Sequence, residues 1–143
     1  MNPTGARAYL QTKVTTTTPG DLVVLLFDGA IKFLKQAKGK IQERDMAAKG
    51  ILISKAIDII GELDGSLNVQ KGGDLSMNLH KLYFYCNTRL LKANMLLDVN
   101  LIDEVIHILT GLGSAFREIA SNEKAAGALP TQAVQTMANA VPS

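Results

Sequence analysis

Few side chains in this 143-residue sequence could do chemistry, and their spacing brings no reactive set together. The histidines, His80 and His107, fall on different predicted helices, so we expect no zinc site. Asp103 and Glu104, close to His107, fit the first turn of a helix, where acidic residues favour the positive end of the helix dipole. The single cysteine, Cys86, lies on the core face of a predicted helix and is predicted to be a buried, inert thiol.

The remaining polar patterns also have ordinary structural explanations. No Ser-His-Asp order or nucleophile elbow occurs. The stretch Gly111-Leu112-Gly113 lies inside a helical pattern with no preceding strand, so it does not indicate a dinucleotide-binding loop. Asp28 and Lys32 are four residues apart and predict a helical ion pair worth about 0.2–0.5 kcal/mol. We therefore expect a protein that is not an enzyme and has no metal and no cofactor.

Composition narrows the function classes further. The length predicts one domain, and the net charge of +2 is small and dispersed. Because no basic cluster stands out, we expect no nucleic-acid partner. The first ten residues lack the apolar core of a signal peptide, and the longest apolar run, Leu22 to Phe27, is too short to insert into a membrane. These features, with a lone cysteine, predict a cytoplasmic protein.

Helix signals divide the chain into four segments. Thr18 is a good N-cap, Pro19 suits the first helical position, and Asp21 complements the dipole in the first turn. Asp45, Asp74 and Asn100 are predicted to cap the later helices. The predicted helices span about 19–43, 46–67, 74–98 and 100–121.

These segments predict an all-α, antiparallel up-down four-helix bundle, because the helices are long and their connections short. The single domain is expected to cover residues 1–121. It includes an N-terminal arm, residues 1–18, with room for a short extra helix. Residues 122–143 are rich in Ala, Thr, Asn and Pro and are predicted to form a flexible tail.

Two predicted helices carry more apolar residues than one core requires. On the first, Val24 and Ile31 fall on the side away from the core stripe. On the third, four large residues align opposite the core stripe at about 100° per residue, whereas Leu97 belongs to the core stripe. Scattered surface hydrophobes are one explanation of this second stripe, and a docking surface is the other. The four residues are Met77, Phe84, Leu91 and Met95.

The second predicted helix has small residues beside its core stripe. Gly50 and Gly61 align with Ile57, Asp64 and Asn68 on one flank. Because glycine costs a helix up to about 1 kcal/mol relative to alanine, a packing reason is expected. Two explanations stay open: a neighbouring helix of the bundle packs closely there, or the flank forms a groove for a partner helix.

Taken together, the motifs resemble the bacterial flagellar secretion chaperone family, FliS. The resemblance covers about residues 8–119 in one register, and it depends on the order and spacing of motifs that are individually weak. The matching residues are Ala8-Tyr9-Leu10, Thr18-Pro19, Asp21-Leu22, Leu26-Phe27-Asp28-Gly29-Ala30-Ile31, Phe33-Leu34, Lys55-Ala56, Ile60, Glu62-Leu63, Ser66-Leu67, Gly72-Gly73, Leu79, Leu82-Tyr83, Arg89-Leu90, Ala93-Asn94 and Glu104-Val105.

The resemblance implies a helical bundle that binds the disordered C-terminal segment of flagellin, prevents its premature polymerisation and escorts it to the type III export apparatus. It also implies that the N-terminal arm, through Tyr9 and Leu10, occupies part of the site until flagellin displaces it. The export gate or a regulatory protein is a further partner that it allows. The expected client-contact residues are Tyr9, Leu10, Ile57, Gly61, Asn68, Leu91, Asn94 and Met95.

A structural protein is the alternative that the sequence leaves open. A homo-oligomeric helical bundle would bury the extra apolar stripes in a symmetric interface between copies of the chain.

Overall fold

The computed structural model describes residues 18–67 and 72–126, with the backbone alone for 124–126. This part of the chain forms four helices: α1 (Pro19–Gln42), α2 (Met46–Gly65), α3 (Asp74–Leu96) and α4 (Val99–Ala126). Helix α1 packs against α2 and α4, and α3 packs against the same two helices. The predicted all-α four-helix bundle is confirmed. The predicted arm, with any short helix in it, and the tail beyond residue 126 lie outside the described residues.

Two of the predicted caps are confirmed, and they start the first two helices. The Thr18 hydroxyl accepts a hydrogen bond from the backbone N–H of Asp21 at 3.3 Å. The Asp45 carboxylate accepts one from the backbone N–H of Ala48 at 3.1 Å. Each bond satisfies one of the N–H groups that the first turn of a helix leaves free.

The other two helices begin differently from the prediction. Helix α3 starts at Asp74 itself, after Gly73, which makes no side-chain cap bond. Helix α4 starts at Val99, and the carboxylate of Asp98 accepts from the backbone N–H of Asn100 at 2.9 Å. Asp98 therefore has the capping role that the sequence assigned to Asn100. An aspartate is as good a cap as an asparagine, so local preference could not choose between them.

Helix ends differ from the predicted bounds by one to five residues. Helix α3 ends at Leu96, and Leu97 adopts the left-handed conformation with φ 55°. Leu97 thus leaves the helical path and is 42% exposed. The prediction that Leu97 belongs to the core is therefore wrong. Helix α4 continues to Ala126, so the first residues of the predicted tail are helical.

The core lies along the bundle axis and contains an aromatic cluster. The ring of Phe27 lies 5.5 Å from that of Phe116 and 6.4 Å from that of Tyr83, centroid to centroid. A Cβ atom added to Gly113 would lie 3.2 Å from the Phe27 Cβ, so α1 and α4 approach closely at this glycine. The largest fully buried side chains are Tyr83, Phe27, Leu34, Ile53, Ile59, Ile60, Leu63, Leu90, Ile102, Leu109, Leu112 and Val105.

The apolar residues on the far side of α1 are covered by the rest of the bundle. Val24 is only 9% exposed, and Ile31 is partly buried against the core cluster. The broad apolar surface of α1 is buried because this helix packs against two neighbouring helices, α2 and α4.

Ion pairs join α1 to α4 in antiparallel order. The Arg117 guanidinium donates to both carboxylate oxygens of Asp28, at 2.8 and 3.0 Å. At the other end, the Lys38 ammonium lies 2.5 Å from the Asp103 carboxylate. The predicted Asp28–Lys32 pair is wrong, because Arg117 from the adjacent helix engages Asp28 and offers two donors in a plane.

Helix α4 is long and apolar enough, over Val99–Glu123, to cross a membrane by length and composition alone, with a mean hydropathy of 1.2. A third of the 18-residue apolar segment within it is buried inside the bundle. Core helices meet the same criterion, so this property does not establish a membrane span.

Candidate functional site

The outer face of α3 exposes four large apolar side chains. Their exposed fractions are 43% for Met77, 68% for Phe84, 56% for Leu91 and 78% for Met95. The predicted second stripe is therefore present on the surface, and these four residues are called the α3 stripe below. Large apolar side chains grouped on one face mark interaction surfaces more often than scattered ones do.

Further exposed apolar residues lie outside the stripe. They are Met46 and Ile51 on α2, and Leu96 and Leu97 at the end of α3. Sequence reasoning did not identify them as a group. Leu96 is 58% exposed, almost the same as Leu91, but it lies on a different face of α3.

The glycines on α2 face open space. A Cβ atom added to Gly50 or Gly61 would meet no other atom within 4 Å. The explanation that these two glycines permit close packing inside the bundle is therefore wrong. Ile57, between them in sequence, is partly buried and contacts the core cluster. The flank of α2 has room for a partner to approach its backbone.

A buried lysine joins the start of α2 to the end of α3. Lys49 is 8% exposed, and its ammonium donates to the side-chain oxygen of Asn94 at 2.6 Å and to its backbone carbonyl at 3.2 Å. Asn94, a predicted client contact, is thus held by α2. Lys49 was missed, although its spacing from Ile53 and Ala56 places it in the core row of α2.

A second polar pair joins the other ends of the same helices. The Nδ1 atom of His80 lies 2.8 and 3.0 Å from the two carboxylate oxygens of Asp64. The Lys49–Asn94 and His80–Asp64 pairs show that α2 and α3 run antiparallel. Both pairs depend on contacts between distant parts of the sequence, which periodicity within one helix cannot predict.

The other flank of α3 carries a hydrogen-bonded cluster with α4. The hydroxyl of Tyr85 and the Nε of Arg89 both donate to the Glu104 carboxylate, Arg89 at 2.8 Å. The bond from Tyr85, then that from Arg89, holds the pKa of Glu104 below its ordinary value, against a partial opposing effect of burial. The same bond raises the pKa of Tyr85.

This cluster also bears on metal binding. Sequence reasoning overlooked that Glu104 stands three residues before His107, a spacing used by helical metal ligands. In the structure the Glu104 carboxylate accepts from Tyr85 and Arg89. Within residues 18–67 and 72–126, no three His, Cys, Asp or Glu side chains are grouped so that they could hold a metal ion.

The cysteine is buried in the core, as predicted. Burial raises the pKa of the Cys86 thiol to about 12. A thiol is reactive as the thiolate, so Cys86 is inert near neutral pH.

An apolar cavity of about 560 Å³ lies away from the α3 stripe, between the first turn of α1 and the last turns of α4. Pro19, Val23, Phe116 and Ile119 supply its apolar wall. Local sequence patterns could not predict this cavity, because its two walls are about a hundred residues apart in the chain.

The structure places the predicted contact residues unequally. Leu91 and Met95 are exposed on α3, Gly61 is exposed on α2, and Ile57 and Asn94 are half-buried. All five lie on the two adjacent helices α2 and α3. The other three lie outside the described residues: Tyr9, Leu10 and Asn68.

Fold and surface together define an all-α bundle protein with an exposed apolar face of the kind that binds other proteins. The family model described as "Flagellar protein FliS" matches residues 1–123. The chain belongs to this family of flagellar secretion chaperones.

Curated relatives agree with the family match. The flagellar secretion chaperone FliS of Salmonella typhimurium is 38% identical over 80% of this chain and 89% of its own length. FliSB of Pseudomonas aeruginosa is 39% identical over 75% of this chain and 85% of its own. FliS of Bacillus subtilis is 34% identical over 82% and 86%.

Proposed function

We propose that this protein is a cytosolic chaperone that binds the disordered C-terminal segment of flagellin. It would prevent premature polymerisation and bring flagellin to the flagellar type III export apparatus. The observation that carries the proposal is the exposed α3 stripe beside the open flank of α2, in a chain of the flagellar secretion chaperone family.

The physical requirement of such a client supports the proposal. A disordered segment loses conformational entropy when it binds, so it needs a large contact area. The α3 stripe offers four large side chains, of which Met95 is 78% exposed. These side chains are presented on a helix that is already formed, α3.

The client-contact residues remain part of the proposal. Leu91 and Met95 would contact apolar side chains of the client, and Gly61 and Ile57 would line the approach along α2. Asn94 would contribute an amide that Lys49 holds in place.

The predictions for the arm rest on the resemblance. Tyr9 and Leu10 are proposed as contacts on that basis, with the arm covering part of the surface until flagellin displaces it. Asn68 is proposed because the sequence places it on the same flank of the second helix as Ile57 and Gly61. The further partners that the resemblance allows, the export gate and a regulator, stay predictions.

Calorimetric titration with the last ~40–60 residues of flagellin from the same organism tests the proposal. Stoichiometric binding with a large negative heat-capacity change is expected, because apolar surface is buried. No binding, together with a chain that elutes as a stable oligomer in gel filtration, would favour the homo-oligomeric bundle instead.

A matched pair of variants tests where the client binds. Burying a leucine contributes about 1.5–3 kcal/mol, so we expect Leu91→Ala to weaken client binding by about tenfold or more. Leu96→Ala is the control, since Leu96 has nearly the same exposure on the same helix but faces elsewhere. Equal losses of affinity in the two variants would contradict the assignment of the site to the α3 stripe.

A further inference from the structure

The cavity between α1 and α4 is closed on one side by the two helices themselves. A Cβ atom added to Gly20 would lie 3.2 Å from the Cβ of Ala120, so the helices meet at this point of the cavity lining. On the walls, Val23 and Ile119 are half-buried, and the ring of Phe116 is held against Phe27. The cavity is therefore a fixed, apolar recess beside the end of α4.

The lining of the cavity favours apolar side chains of a protein segment over a small molecule. Small-molecule sites place a few polar groups so that they orient the ligand. Among the described residues, the polar side chains in this lining are Thr18 and Glu123. The Thr18 hydroxyl is engaged as the cap of α1, and Glu123 is exposed. Neither therefore provides a buried group that would orient a ligand.

The segment that follows α4 is unusual in having no charge. Residues 127–143 contain no Asp, Glu, Lys, Arg or His, whereas segments that stay solvated are usually rich in charge. An uncharged segment can be buried without removing a charge from water. The arm also leads to the cavity, at Thr18, but it carries Arg7 and Lys13. The composition therefore favours the tail over the arm as the occupant.

The tail also has the apolar spacing of a helix. Val134, Met137 and Val141 are separated by three and four residues, so a helix would carry all three on one face. Thr131 is a good N-cap, and Pro142 cannot continue a helix. These signals predict a short amphipathic helix between Thr131 and Pro142.

The lengths of the tail and of the cavity agree. Residues 127–130 span up to about 13 Å when extended, and Gly127 is the residue type that often ends a helix and turns the chain. A helix over residues 131–141 is about 16 Å long, and the distance from Ala126 back to Phe116 along α4 is about 15 Å. A helix that runs back along α4 therefore covers the cavity from end to end.

We propose that residues 127–143 fold back on their own bundle as a fifth helix, antiparallel to α4, with Val134, Met137 and Val141 in the cavity. This arrangement replaces the flexible tail that composition alone predicts. The family model matches only as far as residue 123, so the proposal does not depend on the family match. It is also independent of the proposed client surface, because the cavity lies away from the α3 stripe.

Hydrogen exchange of the full-length protein, followed by mass spectrometry, tests the docking without any client. We expect the amides of residues 132–141 to exchange about tenfold or more below their intrinsic rates. Met137→Lys should return them to intrinsic rates, because it puts a charge into the apolar cavity. Thr136→Lys is the matched control, since it adds the same charge on the opposite face and should keep the protection. Intrinsic rates in the unmodified protein would overturn the proposal.

Variants of the bundle test where the tail docks. Ile119→Lys, in the cavity wall, should remove the protection of residues 132–141, and Leu91→Lys, on the α3 stripe, should not. The opposite result would place the tail on the α3 stripe and overturn the proposal. Should Ile119→Lys fail to fold, which circular dichroism reports, Met137→Lys still decides the docking, because its change lies outside the four helices.

Two other occupants of the cavity give different results. Protection of residues 132–141 that disappears when the protein is diluted would mean that the tail enters the cavity of a second copy of the chain. Protection of residues 1–17 that Ile119→Lys removes, with residues 132–141 unprotected, would assign the cavity to the arm. Either result would overturn the proposal.

Discussion

At the scale of single residues, Glu104 is an ionisable group whose charge is stabilised by two hydrogen-bond donors. Its carboxylate accepts bonds from Tyr85 and Arg89, and its pKa lies below the ordinary value of 4.5. A carboxyl group with a lowered pKa in the folded state stabilises the fold above the unfolded-state pKa. That contribution is lost as the pH falls through the lower, folded-state pKa.

The pH dependence follows from this sign. We expect Glu104→Gln to lower the free energy of unfolding near neutral pH, and the difference from the unmodified protein to shrink as the pH falls below about 4.5. Denaturant titrations at several pH values measure it. Glu118→Gln, an exposed glutamate on the same helix, serves as control. A difference in unfolding free energy that stays the same at every pH would show that ionisation of Glu104 does not contribute to stability.

Arg44 is held in a backbone conformation that suits glycine. Its φ is 62°, and the side chain is exposed in the turn between α1 and α2. The left-handed region costs a non-glycine residue about 1–2 kcal/mol. The conformational entropy that a glycine loses on folding costs less, about 0.5–1 kcal/mol. We expect Arg44→Gly to raise the melting temperature and Arg44→Ala to leave it unchanged or lower. An equal effect of the two would point to the lost charge instead.

At the scale of the helices, glycines divide by what surrounds them. Gly61 on α2 faces open space, whereas Gly113 on α4 lies against Phe27, which is fully buried. Gly61→Ala should therefore stabilise the protein by up to about 1 kcal/mol through helix propensity. Gly113→Ala should destabilise it, because the Phe27 Cβ would be 3.2 Å from the new atom and has no space to move into.

Thermal unfolding of both glycine variants measures these opposite signs. The same Gly61→Ala protein also reports on function, since a partner helix that approaches the α2 backbone would meet the added methyl group. Stabilisation without loss of client affinity would place the client farther from α2 than proposed.

Helix starts and stripes follow from local chemistry, so much of the fold could be predicted from the sequence. Thr18 and Asp45 cap their helices through bonds three residues away, and the α3 stripe follows from a regular angle per residue. Contacts between helices could not be predicted in this way. Asp28 pairs with Arg117 and not with Lys32, because the geometry of the bundle brings α4 beside α1.

At the scale of the whole molecule, the bundle separates stability from recognition. The buried core and the α1–α4 ion pairs hold the helices together. The proposed client surface lies on the outer faces of α2 and α3. The α3 stripe could be predicted, because a single helix defines it. The Lys49–Asn94 and His80–Asp64 contacts beside it could not be predicted, because they form only when α2 and α3 lie together.

The burial of Cys86 has a practical consequence for experiments on this protein. The chain has one cysteine, and its thiol is shielded in the core with a pKa of about 12. The unaltered sequence is therefore already a suitable background for maleimide labelling. A cysteine introduced at an exposed position such as Lys92 could carry a fluorophore or a spin label at a known site, and the distance to a labelled client could be followed in solution.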